Sequence, residues 1–527
     1  MNILDLPQEL VVHIVLQLDP SDIVVCGQIS RYFMSLLDTA VIRYKFALAG
    51  AGMVDGPASG VPVKDRLLAL ERYTQAWRTA ELAQDPEFPI DRNEHYRCLT
   101  FTGGAIPVVQ GSQLRLVVPA SPARGIPAQV WSMDIGNNSS RPLRCTTDLS
   151  QSLFVMCCLK PHPTRALECQ IYSLSDTTLS PHSEAAVPAI SADAGSAHEA
   201  FVVQMDVCHD LLVWSWYADS KVHLRVYNWK RGIVVWERAE SDGAPTHFAF
   251  LDHHHLVVAS NNRSQLNVYT VDPNKPASTV AASPHYAPSS LRVFSLPLTE
   301  EGCSVQIKQL SSQQTSSGPP DCAPAFEHNT QLTILAISLH VVSEPSGDSQ
   351  AHTLIVPTSA LLGHASSAGD HREQPPHADG TRGDVPWKAW GAPCSRLLPL
   401  ANGLQWWDVR AVGSRCLFFS FRTGRPIALD ILVAQFCPWA RYNAADGGVD
   451  PLAEYADTSD VITVHENLVG PIRNCLPFHA VRMTVVYGEV VDFNWFNSFV
   501  ALLPDGVAVT NNSDTESTQS LLHLFSA

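Results

Sequence analysis

Three consecutive imidazoles, His253, His254 and His255, form the densest run of potential metal ligands in this 527-residue chain. Neighbouring side chains of an extended strand point to opposite faces, so only His253 and His255 could share an ion. Neither a Cys nor a further His stands near them at ligand spacing, and the run reads as a polar turn between two strands. His182 and Glu184 form an isolated His-x-Glu without the downstream Pro-Cys-x-x-Cys that zinc deaminase chemistry needs. Cys157 and Cys158 fall inside an apolar run, where thiols behave as small core residues. The 13 cysteines are an odd number without a Cys-x-x-Cys pair, which predicts buried free thiols in a reducing compartment. The Gly-x-Ser-x-Gly elbow, His-Glu-x-x-His, the phosphate loop and the dinucleotide fingerprint do not occur. The sequence therefore predicts no catalytic residue, no metal and no cofactor, and leaves binding as the expected activity.

Two kinds of residue suit binding. Trp214, Trp216, Trp229 and Trp236 crowd one segment, and Trp387, Trp390, Trp406 and Trp407 another. Aromatics of this size either anchor a partner or fill a core, and filling is the commoner use. Arg422 and Arg425 flank a Thr-Gly turn between two strand-like runs. In a chain of formal net charge -16, a basic spot there could grip a carboxylate or phosphate bidentately. These two arginines are the candidate partner-binding residues. The same acidic balance argues against a nucleic-acid surface, which is basic. The N-terminus carries acidic groups and lacks the basic start of an export signal. No apolar run approaches the roughly 18 residues of a membrane span. A cytoplasmic or nuclear location without a membrane partner is expected.

Most of the chain must be β-structure. Charged residues are only 16% and prolines number 37, a balance that suits short strands and loops better than long helices. From about residue 92, short apolar or alternating runs are separated by clusters of Gly, Pro, Ser and Asn. The segment from Met205 to Glu237 reads as three strands with turns at Asp219-Ser220 and around Lys230 to Gly232. Comparable units recur roughly every 45–60 residues, which suggests a propeller of about seven degenerate blades. A pair of β-sandwiches is the alternative. Stretches near 176–200, 311–324 and 343–384 are rich in small and polar residues and read as mobile surface insertions.

The first 85 residues are different. Pro7 sits where a first helical turn tolerates it, and Leu10, Ile14 and Leu18 follow at four-residue steps beside Val11 and Val15. Asp19 and Pro20 repeat the start signal, and Ser30 can cap a third helix carrying Phe33, Leu37, Val41 and Tyr44. A further amphipathic helix carries Leu67, Leu70, Tyr73, Trp77 and Ala80. Helices this short must pack on each other or on a partner.

This N-terminal stretch resembles an F-box, whose pattern is Leu-Pro-x-Glu, an apolar helix, Leu-x-x-x-Asp, then Val/Ile-Ser-Arg. The matching residues are Leu6, Pro7, Glu9, Leu10, Ile14, Leu18, Ile23, Cys26, Ile29, Ser30, Arg31 and Phe33. Many F-boxes carry a Trp near the position of Ile42 or Tyr44, and this chain has none there. The following stretch to Trp77 is similar to that behind the F-box in a large group of mushroom-type fungal F-box proteins. The resemblance implies an α+β multidomain chain: a trihelical F-box over 1–48, a helical connector over 49–91, and a propeller-like domain over 92–527. It implies docking on a Skp-type adaptor, and through it a cullin, by Leu6, Pro7, Glu9, Leu10, Ile14, Leu18, Ile23, Cys26, Ile29 and Phe33. The implied function is a substrate-recognition adaptor of a ubiquitin ligase, with an unknown protein target on the β domain and no enzymatic step of its own. A scaffold that binds the Skp-type adaptor without turning over a target is the alternative.

Overall fold

The computed structural model describes residues 3–527 apart from 58–59, 85–95, 136–140, 161–165, 176–178, 194–200, 241–246, 261–263, 277–291, 298, 316–321, 344–346, 367–383, 400–408, 423–427, 438–460, 464–467, 469–471, 475, 487–497 and 512–520. Five helices come first: α1 (Gln8–Val15), α2 (Pro20–Ile29), α3 (Arg31–Leu37), α4 (Ala40–Ala51) and α5 (Val63–Thr79). Val11 and Val15 of α1 close on Ile23, Leu36 and Ile42, making a small core of their own. Ser30 caps α3 by accepting from the Phe33 amide at 3.3 Å. Asp19 stands at the N-cap of α2, but its side chain makes no capping hydrogen bond. The expected single third helix is two, because Thr39 is extended and its hydroxyl donates to the Leu36 carbonyl. That bond satisfies one of the carbonyls a helix end leaves open, and the chain restarts at Ala40. Lys45 of α4 donates to the Leu16 and Leu18 carbonyls at the end of α1, where a cation suits the helix dipole.

The remainder is an all-β propeller of seven blades, each a sheet of four or more strands. Seven separate sheets exclude the paired-sandwich alternative. Their innermost strands are Tyr96–Cys98, Arg141–Asp148, Phe201–Cys208, Phe248–Phe250, Cys303–Ser311, Arg410–Val412 and Ser498–Leu503, for blades 1 to 7 in order. The blades close the way the alternating burial requires, since each sheet must cover both faces with its neighbours. The third blade is as legible as any: Asp219 and Ser220 both have positive φ, 49° and 60°, as a two-residue hairpin turn demands. Trp214, Trp216 and Trp229 are wholly or almost wholly buried between blades 2 and 3, so they fill the core.

The ring is closed by the two ends of the β region. Ala83 and Gln84, just after α5, pair antiparallel with Ser526 and Phe525 and supply the outer strand of blade 7. Blade 1 hands over to blade 2 at Thr100–Thr102, which runs parallel to Arg144–Thr146. The crossing needs Gly103, at φ 103°, where a Cβ would lie 2.1 Å from the Thr147 hydroxyl.

The stretches read as insertions hold more structure than expected. Ser180–Pro181 and Ala189–Asp193 are edge strands of blade 2, and Ser312 and Thr315 are buried. The 343–384 stretch includes a strand of blade 5, Ser349–Pro357, and helix α6 (Thr358–Ser366). His352 to Val356 form an unbroken buried run there, and composition averaged over the stretch hides so short a run. Residues 367–383 lie outside the described residues.

Candidate functional site

The first surface is on the helices. With Val11 and Val15 taken by the core, the neighbouring Leu10 and Ile14 are left 51% and 42% exposed, and Ile29 at the end of α2 is 68% exposed. Val25 of α2 and Met34 of α3 are exposed as well. Several large apolar side chains left exposed on a module this small make it a candidate contact surface. Of the residues that the sequence pattern proposed for docking, Pro7, Glu9, Leu10, Ile14 and Ile29 are exposed. Leu6, Leu18, Cys26 and Phe33 are half-buried, with Leu6, Leu18 and Phe33 packed on the bundle core. Ile23 is wholly buried in that core, so it holds the module together and cannot itself touch a partner. Sequence periodicity could not separate the two rows, because Leu10/Ile14 and Val11/Val15 are equally apolar and adjacent around the helix.

The helices are fixed to one face of the propeller. Met53–Asp55 pairs with Phe326–His328, which lies between the first two main strands of blade 5. Gly56 is needed for this approach, since a Cβ there would lie 2.0 Å from the Pro324 carbonyl oxygen. Gln435 donates to the Ala51 carbonyl at 2.6 Å, and the Cys437 thiol to that of Ala49. The open carbonyls at the end of α4 are thus satisfied by blade 6. Helix α5 lays Leu67, Leu70, Tyr73 and Trp77 into a shared core with Leu417, Phe419, Ile431, Val500 and Val507 of blades 6 and 7. Arg415 lies over the Trp77 ring, 4.2 Å from its centroid, and donates to the Tyr73 hydroxyl at 2.8 Å.

Beneath Tyr73 is a buried ionic cluster. Asp505 accepts from Arg124 at 2.6 Å and from the Tyr73 hydroxyl at 3.1 Å. Burial works to raise the Asp505 carboxyl, but Arg124, helped by Arg415, outweighs it and holds it well below the usual carboxylate range. Burial pushes the Tyr73 phenol up to about 12 despite Arg415. His328 stands 3.6 Å from the carboxylate, too far for a good hydrogen bond. Burial lowers it to about 4, so its ring is neutral at physiological pH. Sequence reading missed Arg124, His328, Arg415 and Asp505, which come from four distant turns and strands. Each appears alone in a turn-rich context, and no spacing links them.

The second surface is the propeller's central channel, a cavity of about 390 Å³ lined by the inner strands. Polar side chains stitch those strands together. Gln204 donates to the Phe248 carbonyl at 2.7 Å, joining blades 3 and 4, and Ser311 accepts from the Ala411 amide at 2.9 Å, joining blades 5 and 6. Arg144, His247, Lys308 and Arg410 line the channel, with Asp206 as its carboxylate residue among the described lining. Asp206 is buried, and burial pushes its carboxyl up to about 7 although the Val207 amide donates to it. Inner strands all run in one direction around a propeller. Turns from first to second strands therefore share a face, which the helices occupy through Gly52 against Ser414 and Tyr73 against Asp505. Arg410 opens its strand and His247 precedes its own, so both stand toward the opposite face.

The remaining sequence candidates fall as follows. Arg422 ends the second strand of blade 6, paired with Ala428, and so stands at the face away from the helices. Arg425 lies outside the described residues, as do Trp406 and Trp407. The imidazole run is a turn closed by Asp252, which accepts from the His254 and His255 amides at 2.7 and 2.8 Å and from the His255 ring. His182 is tied to the Gln151 carbonyl and packs edge-on against Trp229, while Glu184 pairs with Lys230. Cys157 lies opposite Cys169 inside the sheet of blade 2, fully buried.

Residues 3–46 match the F-box-like family. The F-box-like region followed by a propeller suggests an F-box substrate adaptor. No curated protein matches the chain. Among solved structures, an uncharacterized protein of Listeria monocytogenes, lmo1340, is similar at a TM-score of 0.32 and 7% identity, over 65% of this chain and 80% of its own. Hsv2p of Kluyveromyces lactis is similar at a TM-score of 0.20 and 13% identity, over 52% and 68%. The Dos1 propeller is similar at 0.26 and 8%, over 47% and 56%. Among the described residues no helix is long and apolar enough to cross a membrane.

Proposed function

We propose that this chain is the substrate-recognition subunit of a Skp-cullin-F-box ubiquitin ligase, working in the cytoplasm or nucleus. The Skp-type adaptor docks on the exposed row of Leu10, Ile14 and Ile29, flanked by Pro7 and Glu9, and brings the cullin with it. The observation that carries this reading is that row itself: apolar side chains left uncovered on a helical module whose own core is complete. Buried apolar anchors supply most of the energy of such interfaces. A target protein is received on the propeller face away from the helices, where the Arg422 strand end and the channel mouth stand. No residue of this chain performs a chemical step. Its contribution is effective concentration: a target held on a rigid body at a set distance from the ubiquitin carrier. Helix α5, packed into blades 6 and 7, would keep that distance fixed.

The test is recovery of tagged full-length protein from cells with the proteasome inhibited. Skp-type adaptor, cullin and a ubiquitylated partner together are the expected result. Adaptor without cullin or ubiquitylated partner would point to a scaffold, and the absence of adaptor would end the reading.

A further inference from the structure

We propose that Cys157 and Cys169 form a reversible dithiol–disulfide site in blade 2, oxidised by a small peroxide and restored by a soluble thiol. The strands Leu153–Leu159 and Ala166–Ser173 run antiparallel, with Cys157 directly opposite Cys169 and no shift of register. Hydrogen bonds at the two ends of this pairing fix what kind of position that is. The Lys160 amide donates to the Ala166 carbonyl at 2.9 Å, and the Leu174 amide to that of Ser152 at 2.7 Å, each to the residue directly across. Hydrogen-bonded and non-hydrogen-bonded positions alternate along an antiparallel ladder, so Cys157 and Cys169 occupy a non-hydrogen-bonded one. Side chains come closest at such positions. Their Cα atoms are about 4.5 Å apart, within the span of roughly 4.4–6.8 Å that a disulfide bridges.

The alternation of faces along a strand separates this pair from the neighbouring Cys158. Cys157 and Cys169 face the core shared with Trp214 and Trp216 of blade 3, whereas Cys158 lies in the core shared with blade 1. Among the described residues no other two cysteines are set opposite each other by a sheet register. The two thiols are hydrogen-bonded, and that bond, then burial, pushes the Cys157 thiol well above its ordinary range. Cys157 is therefore protonated and unreactive while the blade is closed. Oxidation is confined to openings of the blade's edge, where Ala166–Ser173 is covered only by the short strands Ser180–Pro181 and Ala189–Asp193. One sulfur then attacks an oxygen of hydrogen peroxide, the O–O bond breaks, and a sulfenic acid and one water form. The facing thiol attacks that sulfur, expels its hydroxyl as a second water, and closes the S–S bond. Two protons and two electrons have left the thiols in the two waters. The site belongs to the propeller and is independent of adaptor docking.

The test is to expose folded full-length protein to hydrogen peroxide, remove the peroxide with catalase, block the remaining thiols with N-ethylmaleimide in urea, and map peptides without reductant. A peptide pair joined through Cys157 and Cys169 is expected. It should be roughly tenfold or more abundant than any other intramolecular pair, since the sheet holds these two sulfurs in contact. Dithiothreitol added before the maleimide should return both residues as thiols, and Cys169→Ala should lack the joined peptide. Should that variant fail to fold, the parent protein alone decides, because Cys26 and Cys303 are partly exposed and report that the peroxide has acted. Cys157 and Cys169 both recovered as maleimide adducts after Cys26 and Cys303 have been oxidised would overturn the proposal. So would Cys157 joined chiefly to another cysteine, or oxidised past the reach of dithiothreitol.

Discussion

The phenol of Tyr73, on the connector helix, donates to Asp505 in the first turn of blade 7 at 3.1 Å, across 432 residues of sequence. The same carboxylate takes Arg124, and the same hydroxyl takes Arg415. One buried charge thus ties the helices, blade 1, blade 6 and blade 7 together.

Replacing Asp505 by Asn strands Arg124 and Arg415 without their counter-charge. A buried pair broken from one side costs roughly 3–5 kcal/mol. Tyr73→Phe removes one hydrogen bond and costs about 1 kcal/mol. Thermal unfolding should rank parent, Tyr73→Phe and Asp505→Asn in that order, and hydrogen exchange should show α5 losing protection in Asp505→Asn. The folded-state pKa of Asp505 is depressed, so its stabilisation is complete above its unfolded value near 4 and drains away as pH falls through the acid range. Equal melting temperatures for all three proteins at pH 7 would contradict this account.

Asp206 behaves in the opposite sense. Its folded-state pKa, about 7, lies above the unfolded value, so the folded protein binds the extra proton between about pH 4 and 7 and loses stability as pH rises through that window. Asp206→Asn should therefore raise the melting temperature at pH 8, by an amount on the order of 1 kcal/mol or more in stability, and do little at pH 5. A melting temperature gained equally at both pH values would indicate that charge at Asp206 is not the cause.

Arg422 ends its strand at the face opposite the helices. With Arg422 and Arg425 both replaced by Ala, quantitative pull-down should show target proteins reduced and Skp-type adaptor unchanged. Unaltered interactors would remove this turn from the target site and leave the channel mouth as the remaining candidate.

The fold was legible where local pattern decides it. The change from helical to alternating periodicity near residue 92, the hairpin turn at Asp219-Ser220 and the cap at Ser30 are all set within a few residues of sequence. The split of the third helix at Thr39 was not, because a side chain bonding back to its own turn leaves the apolar spacing intact. The division of the helical residues into exposed and core positions was half legible. The pattern named Leu10, Ile14 and Ile29, but it also named Ile23, whose burial depends on how α2 leans on Val11 and Leu36. The channel cations and the Asp505 cluster were not legible at all. Lys308, Arg410 and Arg144 line one cavity only because seven blades close a ring, and a ring is a long-range property.

The most direct measurement of the central claim is the affinity of purified Skp-type adaptor for the full-length chain and for Leu10→Ala/Ile14→Ala/Ile29→Ala. These side chains are exposed, so the variant should melt like its parent. Loss of three apolar anchors should weaken binding by roughly a hundredfold or more, since single hot-spot truncations cost about 2 kcal/mol or more. Tight binding by the parent and its loss in the variant is the result this account predicts; a variant that binds the adaptor as well as the parent, or a parent that does not bind it, would contradict it.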